Sequence, residues 1–260
     1  MDRERVVAVN AQLQGRSVLV TGAARGLGRD LAFALAERGA RVAAVDRNAD
    51  GVQGTVDAAR AVGASAMAVT CDLTDESAIE EALQRVLAEF GVLDGVVANA
   101  GGADGERIPF LELDAATWQR MLDRNLTTAF LTGLHSARVM AKQGRGSMVF
   151  ISSIGATVVQ HELAHYAAAK AGVVQLARGM AAELGPTGIR VNCVAPGSVL
   201  TEGNRRLMDG TPAGAQWAAR TALGRLGRTM DVVGAVAYLL SDDAEYTTGT
   251  TITVDGGFSL

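Results

Sequence analysis

The ten residues from His161 to Lys170, HELAHYAAAK, can be assigned two different chemistries. From the left end they read H-E-x-x-H, the zinc-protease pattern in which two histidines one helical turn apart bind the metal and the glutamate activates water. From the right end they read Y-x-x-x-K, which places a tyrosine and a lysine one turn apart on a helix. Only one of these can be the chemistry of the segment.

The zinc interpretation lacks a third ligand. No histidine follows His165, and the nearest suitably spaced acid, Glu183, falls on the same predicted helix about 27 Å along its axis. The preceding stretch, SSIGATVVQHE, reads as a connecting loop, so His161 is predicted to precede the helix. We therefore predict no metal site, and expect His161 either to line a substrate pocket or to lie on a surface loop.

Short apolar runs alternate with longer segments of helical periodicity. The runs are nearly continuous, which is typical of parallel strands covered on both faces. They are SVLVTG, RVAAVD, AMAVTCD, DGVVANAG, SMVFISS, RVNCVAPG and TITVDGG. The alternation predicts one α/β domain over residues 1 to 260, with a doubly wound parallel sheet of about seven strands and helices on both faces. Residues 1 to 14 are predicted to be a weakly ordered arm, and the Gly-rich residues 197 to 216 a mobile substrate lid.

A glycine-rich loop, TGAARGLGRD, follows the first strand, with glycines at positions 22, 26 and 28. Glycine lets the backbone approach a pyrophosphate closely, and the N–H groups and positive dipole end of the following helix favour its charge. The alternative is that the glycines serve only a tight turn and close helix packing. Asp46 favours the first interpretation because it ends the second strand, where a dinucleotide-binding fold places an acid that hydrogen-bonds the adenosine ribose.

The charges around this loop bear on the choice of cofactor. A carboxylate at Asp46 repels a 2′-phosphate, so NAD is predicted over NADP. Arg25 and Arg47 could pair with that phosphate or lie in solvent, so NADP is not excluded. Asp72, which closes the third strand, is expected either to meet the adenine edge or to cap the next helix with Asp75.

Six motifs in order give the chain a resemblance to a known family. They are TGAARGLG, ANAG at 98–101, the asparagine at 125, ISS at 151–153, YAAAK at 166–170 and APGSVLT at 195–201. With them the chain resembles the short-chain dehydrogenase/reductase family from about residue 15 to the closing VDGG at 254–257. The resemblance implies a Rossmann-type fold, a nicotinamide cofactor and reversible oxidation of a secondary alcohol. It also implies a homotetramer or homodimer, with helices 114–142 and 164–184 as the expected interface.

The resemblance implies roles for individual residues. Tyr166 resembles the catalytic acid/base, Lys170 its partner, and Ser153, with Ser152 as the alternative, the group that orients the substrate oxygen. Asn125 resembles the residue that holds a proton-relay water. The implied cofactor-binding residues are Gly22, Arg25, Gly26, Leu27, Gly28, Asp46, Asp72, Leu73, Asn99, Ala100, Gly101, Tyr166, Lys170, Pro196, Gly197, Val199 and Thr201. Substrate contacts are expected at Ser153, Val159, His161 and Tyr166. Ala98 departs from the pattern, which often has a second asparagine there.

The physical chemistry of alcohol oxidation independently requires such a pair. The alcohol loses a proton as hydride leaves its carbon, yet an isolated tyrosine has a pKa of about 10 and is mostly neutral at pH 7. The ammonium of Lys170 and the positive charge of an oxidised nicotinamide are expected to lower the pKa of Tyr166. A shift to near neutrality corresponds to roughly 4 kcal/mol. The alternative is an ordinary amphipathic helix pair.

Composition limits the partners and the compartment. The formal net charge is -4 and no block of Lys or Arg occurs, so nucleic-acid binding is not expected. No apolar run is long enough to span a bilayer, and the N-terminus does not read as a signal peptide. The two cysteines, Cys71 and Cys193, lack metal-ligand spacing and suit a reducing compartment, so a cytoplasmic location is predicted.

Three functions are compatible with these patterns. The first is an NAD(P)(H)-dependent oxidoreductase acting on a secondary alcohol or its ketone. The second is a dinucleotide-binding sensor or scaffold without catalysis, which the intact Ser153, Tyr166 and Lys170 disfavour. The third is another nucleotide-using enzyme such as a methyltransferase, which has no need of Y-x-x-x-K. The substrate stays open among polyols, steroids, acyl thioesters and cyclic alcohols.

Overall fold

Parallel strands form the centre of the computed structural model, which describes residues 12 to 260. Seven of them make one sheet in the order β3-β2-β1-β4-β5-β6-β9. Their bounds are β1 Ser17–Thr21, β2 Arg41–Asp46, β3 Ala66–Thr70, β4 Gly95–Ala98, β5 Gly146–Ile151, β6 Ile189–Pro196 and β9 Thr251–Val254. Two short strands, β7 Val199–Leu200 and β8 Gly227–Arg228, pair with each other outside this sheet. The predicted parallel sheet is confirmed.

Helices cover both faces of the sheet. Their bounds are α1 Gly26–Glu37, α2 Ala49–Ala61, α3 Glu76–Phe90, α4 Ala115–Leu122, α5 Thr128–Gln143, α6 Ala164–Leu184, α7 Arg205–Met208, α8 Pro212–Ala219 and α9 Thr229–Leu240. One hydrophobic cluster joins the sheet to α1, α2 and α9, and a second joins it to α3, α5 and α6. None of the helices between residues 12 and 260 has the length and apolarity needed to cross a bilayer.

Strand β2 shows why the apolar runs are continuous. Val42 and Ala44 belong to the first cluster, whereas Ala43 and Val45 belong to the second. Successive side chains of a strand point to opposite faces, so a strand buried on both faces needs apolar residues at every position. The predicted doubly wound arrangement, with helices on both faces, is therefore confirmed.

The segment from residue 114 to 142 is not one regular helix. Helices α4 and α5 are joined by a π-helical turn, Asp123–Thr127, which contains Asn125. A π-helical turn inside an α-helix occurs frequently at functional sites. It is not visible in the apolar periodicity, so the sequence predicted a single long helix.

The segment from residue 197 to 216 contains more regular structure than its composition suggested. It includes β7, α7 and the start of α8. The Thr211 side chain caps α8 by accepting a hydrogen bond from the backbone N–H of Gly214 at 3.1 Å, and Pro212 occupies the first helical position. The Gly-rich composition hid this Thr-Pro helix start, and the mobile lid stays a prediction.

The predicted N-terminal arm, residues 1 to 14, lies largely outside the described residues. Of its described residues, Leu13 is fully buried, and the side chain of Gln12 donates hydrogen bonds to Ser241 Oγ and Asp243 Oδ2. Packed structure therefore includes residues 12 and 13, and the weakly ordered arm stays a prediction.

The sheet order creates a crevice. Strand β1 pairs with β2 on one side and with β4 on the other, so the direction of winding reverses between β1 and β4. In open α/β sheets ligands bind at this point, beyond the carboxyl ends of the strands. The residues that follow β1 and β4, beginning at Gly22 and Asn99, therefore lie on either side of the crevice.

Candidate active site

The glycine loop leaves no room for side chains. Gly22 and Gly26 have φ values of 67° and 57°, in the left-handed region that glycine adopts without penalty. A Cβ on Gly28 would lie 2.1 Å from the Gly22 carbonyl oxygen, and one on Gly22 would lie 2.9 Å from the Cα of Ala100. The three glycines therefore serve close packing and tight turns, and at the same time form a side-chain-free cradle.

The cradle ends at the N-terminus of α1. Arg25 precedes this helix without capping it through its side chain, and the first turn contains no acidic residue. The first N–H groups of the helix are thus left to a ligand, and the helix dipole favours a negative one. The loop fits the pyrophosphate of a dinucleotide.

Asn99 ties the end of β4 to the glycine loop. Its side-chain Nδ2 donates hydrogen bonds to the carbonyl oxygens of Thr21 at 2.9 Å and Gly22 at 3.4 Å. The backbone N–H groups of Asn99 and Ala100 donate to Thr21 Oγ1 at 3.0 and 3.1 Å. These bonds hold the two sides of the crevice together.

The Asp46 carboxylate is fixed beside the loop. Oδ2 accepts a hydrogen bond from the backbone N–H of Ala24 at 3.1 Å, and Oδ1 accepts one from that of Asn48 at 3.0 Å. Nearby, Arg25 is 68% exposed and pairs with Asp104 at 3.4 Å, and Arg47 is exposed. The carboxylate is therefore held by the backbone, whereas the two arginines are not held at this point.

The structure separates the two aspartates that follow β3. Asp75 caps α3 by accepting hydrogen bonds from the backbone N–H groups of Ser77 and Ala78. Asp72 accepts bonds from the backbone and hydroxyl of Thr74, and these bonds lower the pKa of the Asp72 carboxyl. The helix-cap alternative thus holds for Asp75 and not for Asp72.

Ser153 and Tyr166 converge at the carboxyl end of β5. A Cβ placed on Gly155 would lie 3.4 Å from Ser153 Oγ and 3.7 Å from Tyr166 Cε1. Ser152, the alternative to Ser153, is buried and donates its hydroxyl to the backbone oxygen of Lys170 at 2.9 Å. The hydroxyl beside the tyrosine is therefore that of Ser153.

Lys170 lies beneath the tyrosine. Its side chain is 3% exposed, its Nζ lies 5.8 Å from the centre of the Tyr166 ring, and it donates a hydrogen bond to the carbonyl oxygen of Ile151 at 3.0 Å. Burial lowers the pKa of Lys170 from 10.5 to about 8. The ammonium form still predominates at pH 7.

The pKa of Tyr166 differs from the sequence expectation. Burial raises the pKa of the Tyr166 phenol, and a hydrogen bond with Ser153 acts in the opposite direction. Desolvation disfavours the charged phenolate. The predicted lowering relies on two cations, of which the chain itself supplies only Lys170, so a lowered pKa of Tyr166 beside the oxidised nicotinamide stays a prediction.

Asn125 is fully buried, and its side chain is engaged by the protein. Oδ1 accepts a hydrogen bond from the Gly102 N–H at 2.8 Å, and Nδ2 donates to the carbonyl oxygens of Gly102 at 3.2 Å and Met121 at 3.1 Å. A Cβ on Gly101 would lie 2.5 Å from the same Oδ1. The side chain thus anchors the turn after β4 to the π-helical turn, and a proton-relay water at Asn125 stays a prediction.

The segment after β6 reaches the glycine loop. Pro196 ends β6, and a Cβ on Gly197 would lie 2.7 Å from the Cα of Asp255. Val199 is buried, and Thr201 Cβ lies 3.6 Å from the place where a Cβ of Gly26 would be. Of the other implied cofactor residues, Leu27 and Leu73 pack against the first and second hydrophobic clusters.

Residues 158 to 162 form the turn before α6. Val159 is 88% exposed and His161 is exposed, so neither is buried against Ser153 and Tyr166. Gln160, between them, points inward: its Nε2 lies 3.8 Å from the same Gly155 Cβ position. Gln160 was not among the substrate contacts expected from the sequence, and contacts at Val159 and His161 stay predictions.

The H-E-x-x-H pattern does not form the zinc-protease geometry. His161 lies in the turn before α6, whereas His165 is fully buried in the first turn of that helix. The two histidines therefore do not share a helix face, as the pattern requires. The tyrosine and lysine of the overlapping motif do lie on one helix.

Comparison with known proteins agrees with this geometry. A family model described as "Enoyl-(Acyl carrier protein) reductase" matches residues 22–259. Cis-4-hydroxycyclohexanecarboxylate dehydrogenase of Sinomonas cyclohexanicum is 44% identical over 246 residues, covering 94% of this chain and 96% of that protein. The chain belongs to the short-chain dehydrogenase/reductase family. As a member of it, the protein is an NAD(P)-dependent oxidoreductase that interconverts a secondary alcohol and its ketone.

Other members of the family extend the comparison. Cyclohexanol dehydrogenase of Rhodococcus sp. (strain TK6) is 37% identical over 277 residues, covering 96% of this chain and 98% of that protein. The structure of 7 alpha-hydroxysteroid dehydrogenase complexed with NADH and 7-oxo glycochenodeoxycholic acid has a TM-score of 0.89 and 33% identity, with 96% of both chains covered. These dehydrogenases give no support to the sensor, scaffold or methyltransferase alternatives.

Proposed function

We propose that Tyr166 is the catalytic acid/base of this dehydrogenase, that Ser153 orients the substrate oxygen, and that Lys170 stabilises the phenolate form of Tyr166. The observation that carries the proposal is the convergence of the Ser153 hydroxyl and the Tyr166 ring beside Gly155. These two side chains meet at the carboxyl end of β5, which pairs with β4, and the end of β4 borders the crevice.

The chain's own residues account for the movement of the proton. In alcohol oxidation the substrate hydroxyl lies between Ser153 Oγ and the Tyr166 phenolate, which takes the proton as the carbonyl forms. In the reverse direction Tyr166 donates this proton, and Ser153 donates a hydrogen bond to the oxygen on which negative charge develops. The Lys170 ammonium favours the phenolate electrostatically, because few groups screen charge in a buried site. When bound, the nicotinamide supplies the acceptor or the donor of hydride.

The proposed substrate class is a cyclic secondary alcohol or the corresponding ketone. Support comes from the named activities of the relatives, which act on hydroxycyclohexanecarboxylate, on cyclohexanol and, by its name, on a hydroxysteroid. All three names place a hydroxyl on a saturated ring carbon, which supports a ring-borne hydroxyl in the substrate of this chain.

Replacement of Tyr166 tests the catalytic proposal. Tyr166→Phe keeps the ring and removes the proton carrier, so kcat/KM for cyclohexanol with NAD is expected to fall by about 10²- to 10⁴-fold, while NADH affinity is unchanged. Tyr246→Phe is the matched control because Tyr246 is fully exposed. Activity of Tyr166→Phe similar to that of the control would contradict the role of Tyr166.

We also propose that NAD is preferred over NADP. Support comes from the Asp46 carboxylate, which the backbone fixes in place, while Arg25 is engaged by Asp104. In a fluorescence titration NADH is expected to bind at least about ten-fold more tightly than NADPH, in line with roughly 1.4 kcal/mol of repulsion. Asp46→Ala is expected to remove most of that difference. Tighter binding of NADPH to the unmodified protein would overturn the proposal.

The remaining expectations on assembly, location and the lid are also proposals. A homotetramer or homodimer is supported by four exposed alanines on the outer side of α6, Ala164, Ala168, Ala171 and Ala182, which lie on one helix face with the exposed Gln175 and Arg178. A cytoplasmic location is supported by the unpaired, buried Cys71 and Cys193. A lid over residues 197–216 is supported by the approach of Thr201 to the glycine loop. A monomeric mass in light scattering would contradict the proposed assembly.

A further inference from the structure

Three side chains meet beside Gly155. They are Ser153, Tyr166 and Gln160, whose Oγ, Cε1 and Nε2 atoms lie 3.4, 3.7 and 3.8 Å from the place where a Cβ of Gly155 would be. The first two carry the proposed chemistry. The third is a carboxamide to which the proton transfer assigns no role.

The backbone of Gly155 does not itself require glycine. Its φ lies outside the left-handed region, and its N–H donates a hydrogen bond to Ser153 Oγ at 3.0 Å. A Cβ there would make only ordinary van der Waals contacts. The Ser153 hydroxyl, the Tyr166 ring and the Gln160 carboxamide therefore approach one another around Gly155.

The Gln160 carboxamide makes no hydrogen bond to any residue from 12 to 260, although the side chain is half-buried. Its backbone oxygen accepts a hydrogen bond from the Leu163 N–H at 3.4 Å. A carboxamide offers two donors and one acceptor, and a polar group in a partly desolvated position is stabilised by a partner. A substrate oxygen would supply that partner.

The turn that carries Gln160 is held in a strained conformation. Glu162 has a φ of 64°, which is uncommon for a residue other than glycine. The turn is fixed from outside: the Ile108 N–H donates to the Glu162 oxygen at 2.9 Å, and Arg107 Nη1 donates to the His161 oxygen at 3.1 Å. Backbone strain maintained next to reacting groups points to a functional role for the segment it positions.

We propose that Gln160 is a specificity-determining residue that donates a hydrogen bond to a second oxygen of the substrate. The substrate class is then a cyclic secondary alcohol that carries a further hydroxyl, carbonyl or carboxylate oxygen, and not a plain cyclic alcohol. The proposal rests on the proposed function of Ser153 and Tyr166, because these residues fix the position of the first oxygen.

The test compares substrates that differ only in the second oxygen. The probes are cyclohexanol and the 1,2-, 1,3- and 1,4-cyclohexanediols, oxidised with NAD by the full-length enzyme. The unmodified enzyme is expected to give at least one diol a higher kcat/KM than cyclohexanol, by about 3- to 10-fold for one net neutral hydrogen bond. The position of the favoured hydroxyl then reports the distance from the reacting oxygen to Gln160.

Two variants remove the donor. Gln160→Met and Gln160→Glu both keep the length of the side chain and lack its N–H groups, so both are expected to reduce the ratio of kcat/KM for the favoured diol to kcat/KM for cyclohexanol to about one. Gln53→Met is the matched control, because Gln53 is exposed on α2 and bonds only Asp57. An NADH titration of each variant verifies that its cofactor site is folded.

The outcomes separate the two proposals. Equal kcat/KM for the diols and cyclohexanol in the unmodified enzyme, or an equal loss for both substrates in Gln160→Met, overturns the role of Gln160 and leaves the dehydrogenase function standing. An enzyme that binds NADH and oxidises none of the probes overturns the proposed cyclic-alcohol function, and the role of Gln160 with it. Loss of the diol preference in the Gln160 variants alone supports the proposal.

Discussion

The replacement Gly28→Ala tests whether the glycine loop is a cradle that a single methyl group disrupts. The new Cβ would lie 2.1 Å from the Gly22 carbonyl oxygen and 2.4 Å from Asn99 Nδ2. Neither neighbour can rotate away, since the first is backbone and the second is held by its hydrogen bond to the Thr21 oxygen. The loop itself must therefore move, by about 1 Å, to restore an ordinary contact in a closely packed interior.

The expected size of the effect follows from this displacement. Overpacking by one methyl group in a well-packed region costs about 1–3 kcal/mol. If the loop recovers its cradle shape only by accepting that strain, NADH affinity falls by about 5- to 150-fold. Gly54→Ala is the matched control, because Gly54 is exposed on α2 and a Cβ there meets nothing within 4 Å. Alanine in a helix interior is expected to raise the free energy of unfolding by about 0.5–1 kcal/mol.

Two measurements on each variant separate binding from stability. Fluorescence titration gives the NADH dissociation constant, and urea denaturation gives the free energy of unfolding. Gly28→Ala is expected to weaken NADH binding, whereas Gly54→Ala leaves it unchanged. NADH affinity of Gly28→Ala equal to that of the unmodified protein would refute the close-packed cradle, and an equal loss in Gly54→Ala would show that the effect is not specific to the loop.

Two further replacements probe buried polar groups. Burial lowers the pKa of Lys170 from 10.5 to about 8, so the folded chain releases this proton at lower pH than the unfolded chain. The free energy of unfolding of the unmodified protein, relative to that of Lys170→Met, should therefore rise by about 3 kcal/mol as pH increases from 8 to 10.5. A difference between the two proteins that stays constant across that range in urea denaturation would contradict this expectation. Asn192 is fully buried, donates to the Thr247 oxygen at 2.8 Å and accepts from the Thr250 N–H at 3.1 Å. Asn192→Ala leaves both groups without that partner and should lower the free energy of unfolding by about 2 kcal/mol or more, and an unchanged urea midpoint would argue against it.

The sheet could be predicted from the sequence because burial on both faces leaves a direct mark on composition. A strand buried on both faces, such as β2, needs apolar residues at every position. Residues 42 to 45 of β2 are all apolar, and two of their side chains point toward each helix layer. The order of the strands along the sheet is not written in any single run. It follows from right-handed crossovers and from the glycine loop, which identifies β1 as the strand beside the crevice.

Features that depend on tertiary contacts could not be predicted. The π-helical turn at Asp123–Thr127 is accompanied by hydrogen bonds between Asn125 and Gly102, which are 23 residues apart in sequence. Helix propensity and periodicity describe only neighbours within about one turn. The same limit applies to Gln160, because its side chain comes close to Ser153 and Tyr166 only when α6 packs beside β5.

The pairing of Tyr166 with Lys170 was predictable from spacing, but the electrostatics of the pair was not. A sequence shows which charges are available, and the lysine four residues away predicts a lower pKa for the phenol. It does not show desolvation, which raises the pKa of Tyr166 and lowers that of Lys170. Both shifts disfavour the charged forms, and a further positive charge beside the phenol would favour the phenolate of Tyr166.

The crevice and the proposed reaction centre are mechanically connected by the residues after β4. Asn99 fixes the glycine loop through the Thr21 and Gly22 oxygens, and two residues later Gly101 leaves the space that Asn125 Oδ1 occupies. A displacement of the glycine loop is therefore expected to pass through residues 99 to 102 into the π-helical turn that packs against α6. Since α6 carries Tyr166 and Lys170, crowding at Gly28 is expected to lower kcat as well as NADH affinity. Loss of affinity with an unchanged kcat at saturating NAD would show that the segment absorbs the displacement.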